Sequence, residues 1–482
     1  MELGCSTAIA TLLTACGGGG DGVGAATTNS PPTPQSSTPQ PPAGPTLSAN
    51  VSMAPLANAP YLNNDFAGLS IEKSALSYPL MSGNDSNLIG VFNRLGPSIL
   101  RIGGNSSDNT TWQRGGTDQT DGVVTPVAVD RLAAFARACN WRVIYGLNFV
   151  SNDAATIADE AVYAAQALGS YLAGFEIGNE PDLYASHGVA PNANTYAGFK
   201  SQWIQFANAI KAVVPDAIFT GPASSWNYQH YTVPFASDAA GLLSLLTQHY
   251  YRNPSSATIA AMLSPDPGLV TMLQTLQNAA QAQNISYRLA EANSYWGGGK
   301  PGVSDAHASA LWVLNFLFTA AAAGAAGVNL HTGGGASYSA IKTNKTAGTV
   351  AALGPEYYGI YLFNRAASGK LMQTQVNSTG NTLYAHAIAA DNGSVNLVLV
   401  NTDAGNNYQA VVDCSGIPGA RAGSITTLSG PSLDSPSGMQ INGATFALDG
   451  SWSPQDSQSV QCTGQTLTVY VAPASALLIN IA

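Results

Sequence analysis

From Asp65 to Thr332, short apolar runs alternate with longer stretches whose apolar residues recur every three or four positions. The first pattern marks buried strands and the second helices. The runs lie at Ala67–Glu72, Ser98–Gly104, Arg142–Asn148, Leu172–Glu180, Ala217–Ala223, Leu245–Tyr251, Ser286–Asn293 and Gly327–Gly333. Eight such strand–helix units closing on themselves predict an α/β fold, a (β/α)8 TIM barrel, over residues 63–362. An open doubly wound sheet is the alternative; it usually brings a Gly-rich phosphate loop, and none follows the first strand.

Beyond Phe363 the helical period disappears. Thr382–Ala389, Ser394–Asn401, Tyr408–Cys414 and Leu467–Ile481 are rich in Val, Leu and Ile and are separated by turns such as Asp391-Asn392-Gly393. They predict a C-terminal antiparallel β-sandwich over residues 363–482, joined by Ser48–Met53 from the segment 46–62. Ala308–Leu330 carries no charge and is long enough for a membrane span. Its Ser309, Asn315, Thr319, Gly324, Gly327 and Asn329, after a capping Ser304, predict instead a buried helix followed by a core strand.

Composition narrows the function. Lys and Arg total 17 against 27 Asp and Glu, a net charge of −10, which argues against nucleic acid and against a polybasic membrane foot. Only 9% of residues are charged while 45% are apolar, so a large core is available. Leu13-Thr14-Ala15-Cys16 before Gly17–Gly20 reads as a bacterial lipoprotein signal over residues 1–16, lipidated at Cys16, although no Lys or Arg precedes it. The Gly-, Ser-, Thr- and Pro-rich residues 17–45 read as a disordered tether. The expected location is therefore the cell envelope or the medium. With Cys5 and Cys16 in the signal and Cys139 a buried helical thiol, Cys414 and Cys462 remain as a predicted disulfide.

Catalytic groups of barrel enzymes stand at the C-terminal ends of strands. The fourth run ends Gly178-Asn179-Glu180-Pro181 and the seventh carries Glu291-Ala292-Asn293. Two carboxylates facing each other across a barrel mouth are what glycoside hydrolysis requires, one to protonate the leaving oxygen and one to attack the anomeric carbon. His249 and Tyr251, two apart on the sixth strand, share a face, which leaves Tyr250 to the core.

With these acids, Gln248-His249-Tyr250-Tyr251, Glu291-Ala-Asn-Ser-Tyr-Trp-Gly297-Gly298-Gly299, Arg101-Ile-Gly-Gly-Asn105 and Tyr338 resemble the heparanase/β-glucuronidase family, glycoside hydrolase family 79. The resemblance implies Glu180 as general acid/base, Glu291 as nucleophile and net retention. It implies Asn179 on the sugar 2-hydroxyl, and His249 and Tyr251 facing the cleft, Tyr251 orienting the nucleophile. A glucuronate carboxylate would be held by the loop after Glu291, where Trp296 replaces an expected Tyr, by Gly297 and Gly298, by Lys300 as a compensating cation, and by Tyr338. Glu72, Asn105 and His331 are further candidates by their position at strand ends. The implied partner is a glucuronide-containing oligo- or polysaccharide, with membrane contact only through the lipid anchor; no cofactor is needed and no metal-ligand spacing is present.

A heparanase-like enzyme cutting inside sulfated chains wants basic rims, for which Arg114, Lys300, Lys342 and Lys345 are the candidates. Endo and exo action both remain open. The competing readings are an α-L-arabinofuranosidase or β-xylosidase, to which Lys300 would be useless, and a non-catalytic carbohydrate-binding surface lipoprotein.

Overall fold

The computed structural model describes residues 43–116, 120–417, 419–454 and 458–482. The expected lipidation site at Cys16 and the tether, apart from residues 43–45, lie outside the described residues.

All eight predicted barrel strands form, as Ala67–Glu72, Ile99–Gly103, Arg142–Leu147, Leu172–Ile177, Phe219–Ser224, Leu243–Arg252, Ser286–Tyr295 and Val328–His331. Each runs parallel to the next, and the eighth closes on the first from Val328↔Ala67 to His331↔Ser70. These strands are buried on both faces, which is why they read as continuous apolar runs rather than alternating ones. The fourth strand stops at Ile177, three residues before the expected end, because Gly178 (φ 84°) and Glu180 (φ 50°) turn into the left-handed region. On the sixth and seventh strands the register shifts from Gln248↔Leu289 to His249↔Glu291, which sets His249 directly beside Glu291.

The C-terminal strands build one eleven-stranded sheet that curls around its own core. Thr46–Pro55 enters it between Gly369–Ser378 and Asn407–Asp413, antiparallel to the first and parallel to the second. The expected single strand Leu467–Ile481 is two, Thr466–Val471 and Ser475–Ile481, broken where Pro473 has no N–H to donate and Ala474 adopts φ 48°. Gly369–Ser378 and Ala422–Ser429 were not expected as strands; their alternate Lys, Gln, Thr, Asn and Ser residues face outward and dilute the apolar signal. Helix Pro355–Ala366 crosses the expected domain boundary at residue 362.

The uncharged segment is the helix Ala308–Ala322 followed by the eighth strand, and no described helix is long and apolar enough to cross a membrane. It is apolar all round because it lies between the two domains. Phe318 stacks on His386 of the sandwich at 4.3 Å, and Asn315 Oδ1 lies 2.9 Å from the His386 Nε2. Its N-cap is His307, not Ser304. The Ser304 hydroxyl instead accepts from the Lys300 N–H at 2.9 Å and bonds the Ser294 hydroxyl.

Cys139 is buried as expected, and burial pushes its thiol up to about 12. Cys414 and Cys462 are free thiols in this structure rather than the predicted disulfide, yet they are neighbours: burial and the adjacent Cys462 push the Cys414 thiol up to about 12. Juxtaposed thiols pair readily in an oxidising compartment. Purified from such a compartment, the protein should take up two more alkyl groups after reduction than before it; equal uptake, read by intact mass, would show that the pair stays reduced.

Candidate active site

The mouth of the barrel holds a cavity of about 670 Å³ lined by Glu72, Asn105, Glu180, Leu183, His187, Ser225, Trp226, Tyr251, Asn253, Glu291, Trp296, Gly297, Gly298, His331 and Tyr338. One carboxylate oxygen each of Glu180 and Glu291 and a ring nitrogen of His249 lie within 4.8 Å of one another.

Beneath the carboxylates lies Arg101, fully buried on the second strand. Its Nη1 donates to Glu291 Oε2 at 2.7 Å, its Nη2 to Asn179 Oδ1 at 2.9 Å, and its Nε to Glu176 Oε2 in a very short contact. Glu176 also accepts from the Thr247 hydroxyl at 2.9 Å. Burial opposes the guanidinium charge, but Glu176 and Glu291 more than restore it. The two glycines of Arg101-Ile-Gly-Gly follow from this packing. A Cβ on Gly103 would lie 2.4 Å from the Arg101 guanidinium carbon, and one on Gly104, at φ 74°, 2.4 Å from the Glu72 carboxylate.

Glu291 is 7% exposed. Burial alone would raise its pKa; the charges of His331, His249 and Arg101 and the Tyr251 hydroxyl, which donates to Oε1 at 2.8 Å, hold it far below the ordinary carboxylate range. His331 stands between two acids, Nδ1 3.6 Å from Glu291 and Nε2 3.6 Å from Glu72. Burial lowers its pKa, yet Glu291 and Glu72 carry it above the usual histidine value. Burial likewise pushes Glu72 up, and His331 and the Ser106 donors bring it below its usual value. The Ser106 N–H reaches Glu72 at 2.9 Å.

Several expected residues sit where the sequence put them. Glu72, Asn105, Tyr251, Trp296, Gly297, Gly298, His331 and Tyr338 all line the cavity with Glu180 and Glu291. Tyr250 is in the core, its hydroxyl on Asp266 at 2.6 Å. His249 does not line the cavity; it is fully buried behind Glu180, Nδ1 3.1 Å from Oε1. Asn179 is 4% exposed and lines a smaller adjoining cavity, its amide committed to Arg101 and to Asn105 Oδ1 at 3.0 Å.

Lys300 departs from expectation, being exposed and not among the lining residues. The turn Gly297–Gly299 (φ 72°, 89°, 84°) carries the chain away before Lys300. The other rim candidates are also elsewhere: Arg114 pairs with Asp159 at 2.8 Å, Lys345 lies 3.6 Å from Asp121, and Lys342 is on the strand Ile341–Asn344. Among the described residues no Lys or Arg lines the cavity.

Arg101 and Glu176 escaped assignment, although Arg101 opens the Arg101-Ile-Gly-Gly-Asn105 motif and Glu176 lies within the fourth run. A charged residue inside an apolar run, as in Ile99-Leu-Arg-Ile-Gly103 and Phe175-Glu-Ile177, is the signal that marks them. Asp108 was also missed; it is half-buried, accepts from the Tyr184 hydroxyl at 2.7 Å and from the Asn179 N–H at 3.1 Å, and desolvation raises its pKa. Glu180, His249 and Glu291 are close enough to share a metal ion. Both Glu291 oxygens already accept hydrogen bonds, one from a guanidinium, so the donor set suits a bare carboxylate better than a cation ligand.

Residues 151–254, which contain Asn179, Glu180, His249 and Tyr251, match the model of glycoside hydrolase family 44, a different family from the one the motifs resemble. Two curated relatives are β-glucuronidases, of Aspergillus niger at 25% identity over 343 residues and of Neurospora crassa at 25% over 365 residues. Both alignments cover 61% of this chain, which spans 61% of the first relative's length and 62% of the second's. A solved 4-O-α-L-rhamnosyl-β-D-glucuronidase from Fusarium oxysporum 12S superposes with a TM-score of 0.76 at 20% identity, over 90% of this chain and 100% of that one. A GH51 arabinofuranosidase from Xanthomonas axonopodis pv. citri does so at 0.67 and 15%, again over 90% and 100%. At these identities the solved structures speak for the fold alone.

Removing Arg101 strands two buried carboxylates. Arg101→Met should lower the urea unfolding free energy by about 3–5 kcal/mol; a loss under ~1 kcal/mol would show that Glu176 does not depend on it. The Glu72–His331–Glu291 contacts carry a pH signature. A histidine with a raised pKa contributes stability that is complete below its unfolded value near ~6.5 and lost as pH rises through the folded one, while depressed carboxylates contribute above about 4.3 and lose it as pH falls through their folded values. The melting-temperature gap between wild type and His331→Gln should therefore be widest between about pH 4.3 and 6.5 and shrink toward alkaline pH. A gap independent of pH would contradict the ion triad.

Proposed function

We propose that the protein is a retaining glycoside hydrolase acting on β-D-glucuronides, with Glu291 as nucleophile and Glu180 as general acid/base. The observation that carries the reading is the approach of the Glu180 and Glu291 carboxylates to within 4.8 Å at the ends of the fourth and seventh strands. Retaining enzymes hold their carboxyls about 5–5.5 Å apart, whereas inverting ones leave roughly 6.5–9.5 Å for a water.

The chemistry follows from the surroundings of each acid. Glu291 is kept anionic by Arg101, His331 and Tyr251, and an oxygen lone pair attacks the anomeric carbon as the glycosidic bond breaks. Glu180 gives its proton to the departing oxygen, with His249 fixing its orientation from behind. The product is a glycosyl ester on Glu291 and a free alcohol. Water then attacks the anomeric carbon, Glu180 takes its proton, and Glu291 leaves as the carboxylate with the starting configuration restored.

The glucuronide specificity draws on the two curated relatives and on the loop after Glu291. Gly297 and Gly298 line the cavity in left-handed conformation, which lets backbone N–H groups face an anion, and Tyr338 adds a hydroxyl. Family 79 membership rests on the motifs alone. Without a basic rim, the cleft favours unsulfated glucuronides over sulfated heparan. An envelope anchor at Cys16 would suit an enzyme that meets polysaccharide outside the cell.

One observation favours a second reading, hydrolysis of a neutral glycoside such as an α-L-arabinofuranoside: among the described residues no Lys or Arg lines the cavity to meet a carboxylate. Nitrophenyl β-glucuronide, α-L-arabinofuranoside and β-xyloside decide between them, with the glucuronide expected to be the best substrate by kcat/KM. A preference for the arabinoside would replace the glucuronidase reading. Glu291→Gln should abolish turnover with the circular dichroism spectrum intact; wild-type activity in this variant would refute the assignment, and glucuronide binding by an inert wild type would point to a non-catalytic carbohydrate-binding protein.

A further inference from the structure

Two exposed side chains are unlike the others on the surface. Among the exposed large apolar residues of the described chain, Trp226 at 68% and Trp296 at 54% are the most exposed, and both line the active-site cavity. Scattered apolar residues on a surface need no explanation, but the two largest converging on one cleft do. Trp296 follows the nucleophile's strand. Trp226 belongs to the other side.

The loop that carries Trp226 is fastened to the acid's own segment. Two residues after Glu180, the Asp182 carboxylate accepts three consecutive backbone N–H groups, from Ser225 at 2.8 Å, Trp226 at 3.0 Å and Asn227 at 2.9 Å. The Glu180 N–H donates to Ala223 O at 2.9 Å. From the barrel side, Gln248 Nε2 donates to Ser224 O at 2.8 Å and Ser225 O at 2.9 Å. The backbone beneath the indole is thus held from two directions, and an ordered indole pays little further entropy when a ligand covers it.

A general acid stands beside the leaving-group oxygen, so what lies on its far side faces the leaving group. The cleft continues there: a second cavity of about 230 Å³ shares Asn105, Glu180 and His187 with the first and runs on past Asn109 and Val150, and the one further acid in its wall, Asp108, is taken up by the Tyr184 hydroxyl and the Phe149 and Asn179 N–H groups. Leu183 and His187 flank the same side. Apart from Glu180, the main cavity's lining on this side, Leu183, His187, Ser225, Trp226 and Asn253, holds no Asp, Glu, Lys or Arg, so it suits a neutral ring better than a sulfated or acidic one.

We propose that Trp226 is the platform on which the leaving-group ring stacks, so that the enzyme's substrate is an oligosaccharide with a neutral pyranose next to the scissile bond. The inference rests on the retaining-glucuronidase reading and names the aglycone that reading leaves open. The apolar C–H face of a pyranose covering the indole removes apolar surface from water on both partners.

The test compares wild type, Trp226→Ala and Trp226→Phe on three substrates: a glucuronyl-β-linked neutral disaccharide, nitrophenyl β-glucuronide, and β-glucuronyl fluoride, whose leaving group has no ring. For Trp226→Ala, the ratio of kcat/KM on the disaccharide to that on the fluoride should fall about 10- to 100-fold, and Trp226→Phe should restore most of it. An unchanged ratio, or equal losses on both substrates as a merely structural role would give, overturns the platform. A fall confined to the nitrophenyl substrate overturns the pyranose assignment. A wild type inactive on all three overturns the glucuronidase reading itself, and the proposal with it.

Discussion

Arg101 reaches from the second barrel strand into the buried floor of the site and binds two carboxylates at once, Glu176 below and Glu291 above, with Asn179 on its remaining nitrogen. A buried guanidinium is tolerable only because its charge is matched, and buried carboxylates only because they are paired. Each member therefore fixes the others. Glu291 cannot take up a proton easily while Arg101 and His331 stand beside it, and Asn179 cannot rotate away while Arg101 holds its carbonyl oxygen. The strand spacing of a closed parallel barrel brings these side chains, 190 residues apart between Arg101 and Glu291, to one point.

The same constraint explains residues that do no chemistry. Gly103 and Gly104 leave room for the guanidinium and for the Glu72 carboxylate, respectively. The register shift at Gln248/His249 seats His249 behind Glu180 and turns Tyr251 toward Glu291. The sandwich domain supports the barrel from the side through the helix Ala308–Ala322, which carries no charge and is buried along most of its length. Glu291 thus stands on a barrel strand, whereas Trp226, Trp296 and Lys300 lie on the loops around the mouth.

Much of this was legible along the chain. Buried strands announce themselves as apolar runs, so the eight barrel strands emerged with ends off by a few residues, and acids at the ends of the fourth and seventh led to Glu180 and Glu291. The sandwich was read less completely. Gly369–Ser378 shows only one apolar face, and Pro473 ends a strand that composition alone would continue. Residues that act through others were the hardest to see. Arg101 and Glu176 were hidden inside apolar runs because a buried ion pair needs its partner to be recognised, and the partner is far away in sequence. Lys300 was misplaced for the opposite reason: its neighbours in sequence line the cleft, but three successive left-handed glycines turn the chain away before it.

The central claim is that Glu291, held ionised by Arg101 and His331, forms a covalent bond with the sugar. A β-glucuronyl fluoride carrying fluorine at the sugar's second carbon should inactivate the enzyme by slowing breakdown of that ester, and peptide mass spectrometry should find the added fluoroglucuronyl group on the peptide containing Glu291. A label on Glu180 or on any other carboxylate, or steady turnover with inversion and no label, would contradict the account.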